Sequence, residues 1–160
     1  MSPPIEVAVK ETEPMTAAFI AMKGPYAQIP AAFGNLYGWI VANGYTPSGP
    51  AMAVYYTMPD QVPEDQALWE LRSQIAEDVA ASGPDEQGLG VKRVEAAQVA
   101  TAMHKGPYED VGATYYALTA WVAENGYEIV GPYEESYFND PAETPIEELL
   151  TEIRFPVRKT

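Results

Sequence analysis

The chain contains no cysteine and a single histidine in 160 residues. Disulfides, thiolate nucleophiles and cysteine-ligated zinc are therefore excluded. His104 stands in no nucleophile motif, since GxSxG is absent, and it reads as a surface residue at a strand end. Cations are scarce as well: nine Lys and Arg against 23 Asp and Glu leave a formal charge of −14. Such a chain repels a phosphate backbone, whose binding requires clustered cations. It is equally repelled by anionic membranes, so neither direct nucleic-acid nor membrane partners are expected. The longest apolar stretch, Ala51–Met58, falls far short of the roughly 20 residues that span a bilayer. No basic-plus-apolar segment opens the sequence, so no export signal is read and a cytoplasmic location is expected. No P-loop or EF-hand occurs, and Gly88-Leu89-Gly90 lacks the third glycine of a dinucleotide fingerprint. The acidic runs at Asp60–Asp65 and Asp140–Glu148 lack calcium-loop spacing and read as solvated loops. No cofactor and no metal are expected.

What the sequence does have is an internal repeat. Sliding it by 82 residues aligns KGPY at Lys23–Tyr26 with KGPY at Lys105–Tyr108, without a gap. Trp39 meets Trp121, Asn43-Gly44-Tyr45 meets Asn125-Gly126-Tyr127, and Gly49-Pro50 meets Gly131-Pro132. Tyr55 meets Tyr137, Pro59 meets Pro141, Pro63 meets Pro145, and Glu70 and Arg72 meet Glu152 and Arg154. Between Lys23 and Arg72 roughly a third of positions are identical, against about one in fifteen to twenty by chance composition. Two copies are too few for a solenoid. They point to one domain across residues 1–160, with two modules related by a pseudo-twofold and a cleft where they meet. Module one covers about 5–79 and module two about 91–158, joined by a small, polar, Gly-containing linker at 80–90.

Each module reads as strand, helix, strand, strand. Met15–Met22 and Ala97–His104 are short apolar stretches ending at a Gly-Pro turn. Helices follow, with Ile29, Phe33, Leu36 and Ile40, or Val111, Tyr115, Leu118 and Val122, at helical spacing. Pro30 suits a first turn, and Glu109 and Asp110 complement the dipole of the second helix. Asn-Gly ends both helices, with Gly44 and Gly126 set for left-handed positions. The remaining strands are Ala51–Thr57 and Ala67–Val79, then Tyr133–Asn139 and Leu149–Val157. The expected fold class is α+β, with about eight mostly antiparallel strands and two main helices around a central cleft.

Alternation places Thr151, Ile153, Phe155 and Val157 on a core face, and Leu150, Glu152 and Arg154 on the other. Tyr133, Glu135 and Tyr137 share one face of the preceding strand, where module one has Ala51, Ala53 and Tyr55. Tyr26 and Tyr108 read as turn plugs, and Trp39 and Trp121 as packing on the sheet or reaching the cleft. Glu152, among apolar neighbours, is the foremost candidate for a partly desolvated carboxylate that attracts a lipophilic cation. The alternative is a structural pair with Arg154, which the duplication as Glu70 and Arg72 favours.

The HKGPY turn, the W-x-x-E-N-G-Y helix end, the GP-x-x-E-x-Y strand, the D-P loop and the closing TEI-x-x-PV together resemble the GyrI-like small-molecule-binding family. That family also supplies effector-binding domains of bacterial AraC- and MerR-type regulators. The resemblance covers nearly the whole chain and implies a cleft for bulky, often cationic, aromatic compounds. It implies Glu152 as the pocket glutamate, with Tyr137, Tyr133, Tyr55 and Trp121 as ligand-binding aromatics. With the modules spanning about Ile5 to Val157, no room for a DNA-reading domain is expected, and the chain reads as a stand-alone binding protein for hydrophobic or cationic small molecules. Two alternatives remain. One is a hydrolase of strained cyclopropane-containing alkylating compounds, with Glu152 as catalytic base. The other is an acidic protein-binding modulator such as a gyrase inhibitor.

Overall fold

The computed structural model describes residues 6–58, 61–140 and 142–160. Pro59, Asp60 and Pro141, assigned to loops above, lie outside the described residues. In chain order come β1 (Val7–Glu11), β2 (Met15–Lys23), α1 (Ile29–Ala42), β3 (Pro47–Tyr55) and β4 (Leu68–Ile75). They are followed by β5 (Leu89–Val94), β6 (Gln98–Lys105), α2 (Val111–Glu124), β7 (Tyr127–Ile129), β8 (Tyr133–Tyr137) and β9 (Leu150–Lys159). The α+β class stands, with two helices and nine strands among the described residues.

The chain divides into two compact units that do not follow the repeat boundaries. Unit 1 joins the N-terminal segment through Thr12 to Ala97–Thr160, and unit 2 is Glu13–Ala96. In unit 1 the strand order is β1-β6-β9-β8, antiparallel throughout, with β7 on the far end of β9. In unit 2 the order is β5-β2-β4-β3, again antiparallel. The leading strand of each sequence module is thus paired in the other unit: β1 lies on β6, and β5 lies on β2. The segment expected as a linker is partly ordered strand. Leu89 and Gly90 begin β5, and Ser82 exchanges two backbone hydrogen bonds of 2.9 Å with Val91. Burial accounts for this, because Leu89, Gly90 and Val91 are all enclosed once laid against β2.

Each helix covers one face of its own unit's sheet. In α2, Leu118 and Val122 are buried against Ala100, Ala102, Ile153, Phe155 and Val157. The small side chains Ala100 and Ala102 let the helix approach β6, and each large apolar residue buried here contributes about 1.5–3 kcal/mol. In α1 the buried residues are Ala32, Leu36 and Ile40, four apart and on one stripe. Both helices end as expected: Gly44 and Gly126 take φ of 73° and 80°. The amides of Asn43 and Asn125 donate to the carbonyls of Trp39 and Trp121 at 2.9 and 2.8 Å. Pro30 lies in the first turn of α1. Glu109 and Asp110 fall one step earlier than expected, in a 3-10 turn, with Asp110 at the N-cap and making no side-chain capping bond.

Candidate functional site

Strand period decides which side chains share a face. In β9, Thr151, Ile153, Phe155 and Val157 turn toward α2 and are buried, as the alternation required. Glu152 and Arg154 therefore leave the sheet on the opposite face. There the Glu152 carboxylate accepts from Arg154 Nε at 2.6 Å and from Lys10 Nζ at 3.2 Å. The repeat reproduces the arrangement in unit 2, where Glu70 accepts from Arg72 Nε at 2.5 Å and Lys92 Nζ at 2.7 Å. Lys10 and Lys92 are themselves 82 residues apart, so each exchanged strand delivers its lysine to the glutamate of the unit it joins. Arg72 also donates to the Tyr56 hydroxyl at 3.3 Å. Burial, then repulsion from Glu70, raises the Tyr56 pKa above 10, partly offset by Arg72. Glu152 is thus one member of a duplicated ionic clamp, neutralised by two cations.

On the α2 face a different carboxylate occupies the centre. Glu135, in β8, is 8% exposed. One oxygen accepts from the Tyr115 hydroxyl at 2.6 Å and the other from the Tyr137 hydroxyl at 2.8 Å. Tyr137 meets Tyr108 edge-on at 5.6 Å. Tyr115 packs on Tyr133 and Phe155 at 5.9 and 5.7 Å, and Tyr133 lies 4.6 Å from Phe155. Burial, followed by repulsion from Asp140 and Glu135, raises the Tyr108 pKa above 10. Among the described ion pairs Glu135 has none. Its charge rests on two neutral phenol donors in aromatic surroundings, an arrangement that attracts a positive charge. The counterparts of Glu135 and Tyr115 in unit 2 are Ala53 and Phe33, so this polar centre belongs to one unit alone.

The aromatic residues expected at a site divide accordingly. Tyr137 and Tyr133 are both in the Glu135 cluster. Tyr55 is half-buried in unit 2, edge-on to Tyr26 at 5.7 Å. Trp121 stacks on Tyr127 at 6.0 Å with an interplanar angle of 17°, near the C-terminal end of α2. Glu152 is not brought to Tyr133 and Tyr137, because it leaves β9 on the other face. Reading the sequence missed Glu135, Tyr115 and Tyr108 as a group. The signal was present in the shared face of Tyr133, Glu135 and Tyr137, and in the departure of Glu135 and Tyr115 from their repeat partners.

His104 corrects a further expectation, since it is buried rather than at the surface, 8% exposed. Its Nε2 lies 2.9 Å from the Pro107 carbonyl, which requires an N–H there. Nδ1 then accepts from the Thr114 hydroxyl at 3.1 Å, tying the Gly-Pro turn to α2. Among the described residues no cluster of three His, Asp or Glu suits a metal ion, and no helix is long and apolar enough to cross a membrane.

The family described as a GyrI-like small molecule binding domain matches residues 5–158. A DNA gyrase inhibitor of Salmonella arizonae is 25% identical over 159 residues, covering 97% of this chain and 99% of that protein. The crystal structure of the EcmrR C-terminal domain has a TM-score of 0.82 at 23% identity, covering 98% of this chain and 99% of that one. In the EcmrR–DNA complex this chain spans 58% of the EcmrR chain, with a TM-score of 0.83 at 22% identity and 97% of this chain covered. SAV2435 bound to tetraphenylphosphonium has a TM-score of 0.62 at 14% identity, covering 96% of this chain and 94% of that one. At these identities the structural likenesses show a shared fold.

Proposed function

Since the chain belongs to the GyrI-like small molecule binding domain family, we propose that it binds hydrophobic, cationic aromatic compounds at the Glu135 cluster of unit 1. The observation that carries this reading is a buried carboxylate that, among the described residues, is held by the hydroxyls of Tyr115 and Tyr137. A cation entering beside Glu135 meets a charge already desolvated, so little of the attraction is lost to water. The two phenols stay as donors and hold the carboxylate in place while their ring faces add cation–π attraction of about 0.5–2 kcal/mol each. Tyr133 and Phe155 supply apolar area for the rest of the ligand. Glu152, expected as the central glutamate, serves in this reading as scaffold, because Arg154 and Lys10 already neutralise it.

A fluorescence titration with a rhodamine tests the proposal, followed by mass spectrometry of the recovered dye. Wild type is expected to bind and return the dye unchanged. Glu135→Gln keeps the shape and loses at least about tenfold in affinity, the scale for removing one partner of a desolvated charge pair. Equal affinity in wild type and Glu135→Gln overturns the site.

A further inference from the structure

In unit 2 the sheet face that carries Glu70 also carries Phe19, Ala21 and Lys92. Ala21 pairs with Glu70 across β2 and β4, while Ala17 and Phe19 pair with Lys92 and Gly90 across β2 and β5. Ala21 is the small member of this row, and it is exposed. Beyond β4 the chain comes back against the edge of the same face. Ser82 is bridged to Val91, and a Cβ at Gly90 would lie 2.3 Å from the Ser82 carbonyl oxygen and 2.9 Å from the Phe19 ring. A glycine at 90 is what admits the segment Ala81–Pro84 so close to β5. A closed turn holds that segment in place. The Asp85 N–H donates to the Leu89 carbonyl at 2.8 Å, and the Asp85 carboxylate accepts from the N–H groups of Gln87 and Leu89 at 2.8 and 3.0 Å. The segment, with Phe19, Ala21, Glu70, Val91 and Lys92, lines a cavity of about 400 Å³. That volume lies within the range of small-molecule sites. In unit 1 Thr101 and Met103 stand in the places of Phe19 and Ala21, so the ring and the gap beside it belong to unit 2.

Charge decides what such a cavity holds. Each Glu70 oxygen already has a cationic donor, Arg72 on one and Lys92 on the other, so positive groups outnumber the negative one. Glu70 is 3% exposed, whereas the Lys92 side chain keeps 31% of its surface. Lys92 is therefore the charge that an entering molecule meets. Its ammonium sits 4.4 Å from the centre of the Phe19 ring. Among the described residues its hydrogen bond is to Glu70, and an ammonium has three N–H donors. A cation would have to displace Lys92 and enter a site of its own sign. An anion adds to the arrangement as it stands. A carboxylate on Lys92, with an apolar body against Phe19 and Ala21, matches both halves of the lining.

We propose that this cavity of unit 2 binds small aromatic monocarboxylates, with Lys92 Nζ as partner of the carboxylate and the ring seated against Phe19 and Ala21. The site shares no residue with the Glu135 cluster, takes ligands of the opposite charge, and does not rest on that reading.

Calorimetric titration with 2-naphthoate and with 2-naphthamide, the same ring without the charge, tests it. Wild type is expected to bind 2-naphthoate at least about tenfold more tightly, the scale of a hydrogen bond to a charged group. Lys92→Met keeps the stem, loses the ammonium and brings 2-naphthoate down to the affinity of 2-naphthamide. Ala21→Phe, at an exposed strand position that tolerates a ring, fills the cavity and weakens both compounds by at least about fivefold. Glu135→Gln leaves both affinities as in wild type. Equal binding of the two compounds by wild type, or undiminished 2-naphthoate affinity in Lys92→Met or Ala21→Phe, overturns the proposal. Loss of 2-naphthoate binding in Glu135→Gln overturns it as well, since the acid would then depend on the other site.

Discussion

Glu135 and Glu152 stand on adjacent strands one register step apart, since Ser136 pairs with Glu152, and their side chains leave the sheet on opposite faces. The same residue type therefore meets two environments: cations for Glu152, phenols for Glu135. Removing the Glu152 carboxylate leaves a largely buried guanidinium without its partner. Glu152→Ala is expected to destabilise the chain by about 3 kcal/mol in urea unfolding. Lys10→Ala, with its side chain 45% exposed, is expected to lose less than about 1 kcal/mol. On the other face, Tyr108 reports the Glu135 charge. Its phenol pKa is raised above 10 by burial, Asp140 and Glu135. The raised value favours the fold below pH 10, and that contribution disappears as pH rises through the folded-state pKa. Glu135→Gln is expected to lower the pH at which Tyr108 ionises. The measurement is the absorbance at about 295 nm, with Tyr108→Phe subtracted in each background.

The elements show which parts of this were readable from the chain. Long stretches with a clear period, such as α2 with Leu118 and Val122 or β9 with Ile153 and Phe155, were legible because burial imposes the pattern. β1 and β5 were not, being five and six residues long with alternating or terminal charges, and stabilised by a partner far away in sequence. The exchange of leading strands has the same cause, because nothing local in Val7–Glu11 says that it pairs with β6 rather than β2. Lys10 and Lys92 held the clue, as their role becomes clear only when the repeat is extended backwards to the leading strands. Glu135 was legible as a face and not as a site, because a carboxylate's partners come from α2 and β8 together. Deleting the chain through Glu11 removes β1 from β6 and Lys10 from Glu152. Amide exchange in β6 is then expected to accelerate by an order of magnitude or more, on the order of 10-fold for each ~1.4 kcal/mol of lost local stability. Exchange along β2 and β4 is expected to stay as in wild type, and equal acceleration in both units would contradict the assignment of β1 to unit 1.

At the scale of the whole molecule, acidic residues exceed basic ones by 14. Six of the nine cations, Lys10, Arg72, Lys92, Arg93, Arg154 and Arg158, are committed to ion pairs within the chain. The remaining field is negative and extends about 8 Å at physiological salt. A field of this sign raises the concentration of small cations near the surface. The association rate of a rhodamine cation is accordingly expected to fall several-fold, on the order of 10-fold at most, between low and physiological ionic strength, while a neutral dye of similar size is unaffected. Stopped-flow fluorescence across a salt series measures this. A narrower question than the field is which of the two buried glutamates of unit 1, Glu135 or Glu152, a cationic ligand would depend on. Calorimetric titration of tetraphenylphosphonium into wild type, Glu135→Gln and Glu152→Gln tests it most directly. Wild type and Glu152→Gln are expected to bind, and Glu135→Gln to lose binding; binding retained by Glu135→Gln and lost in Glu152→Gln would overturn the assignment of the ligand to Glu135.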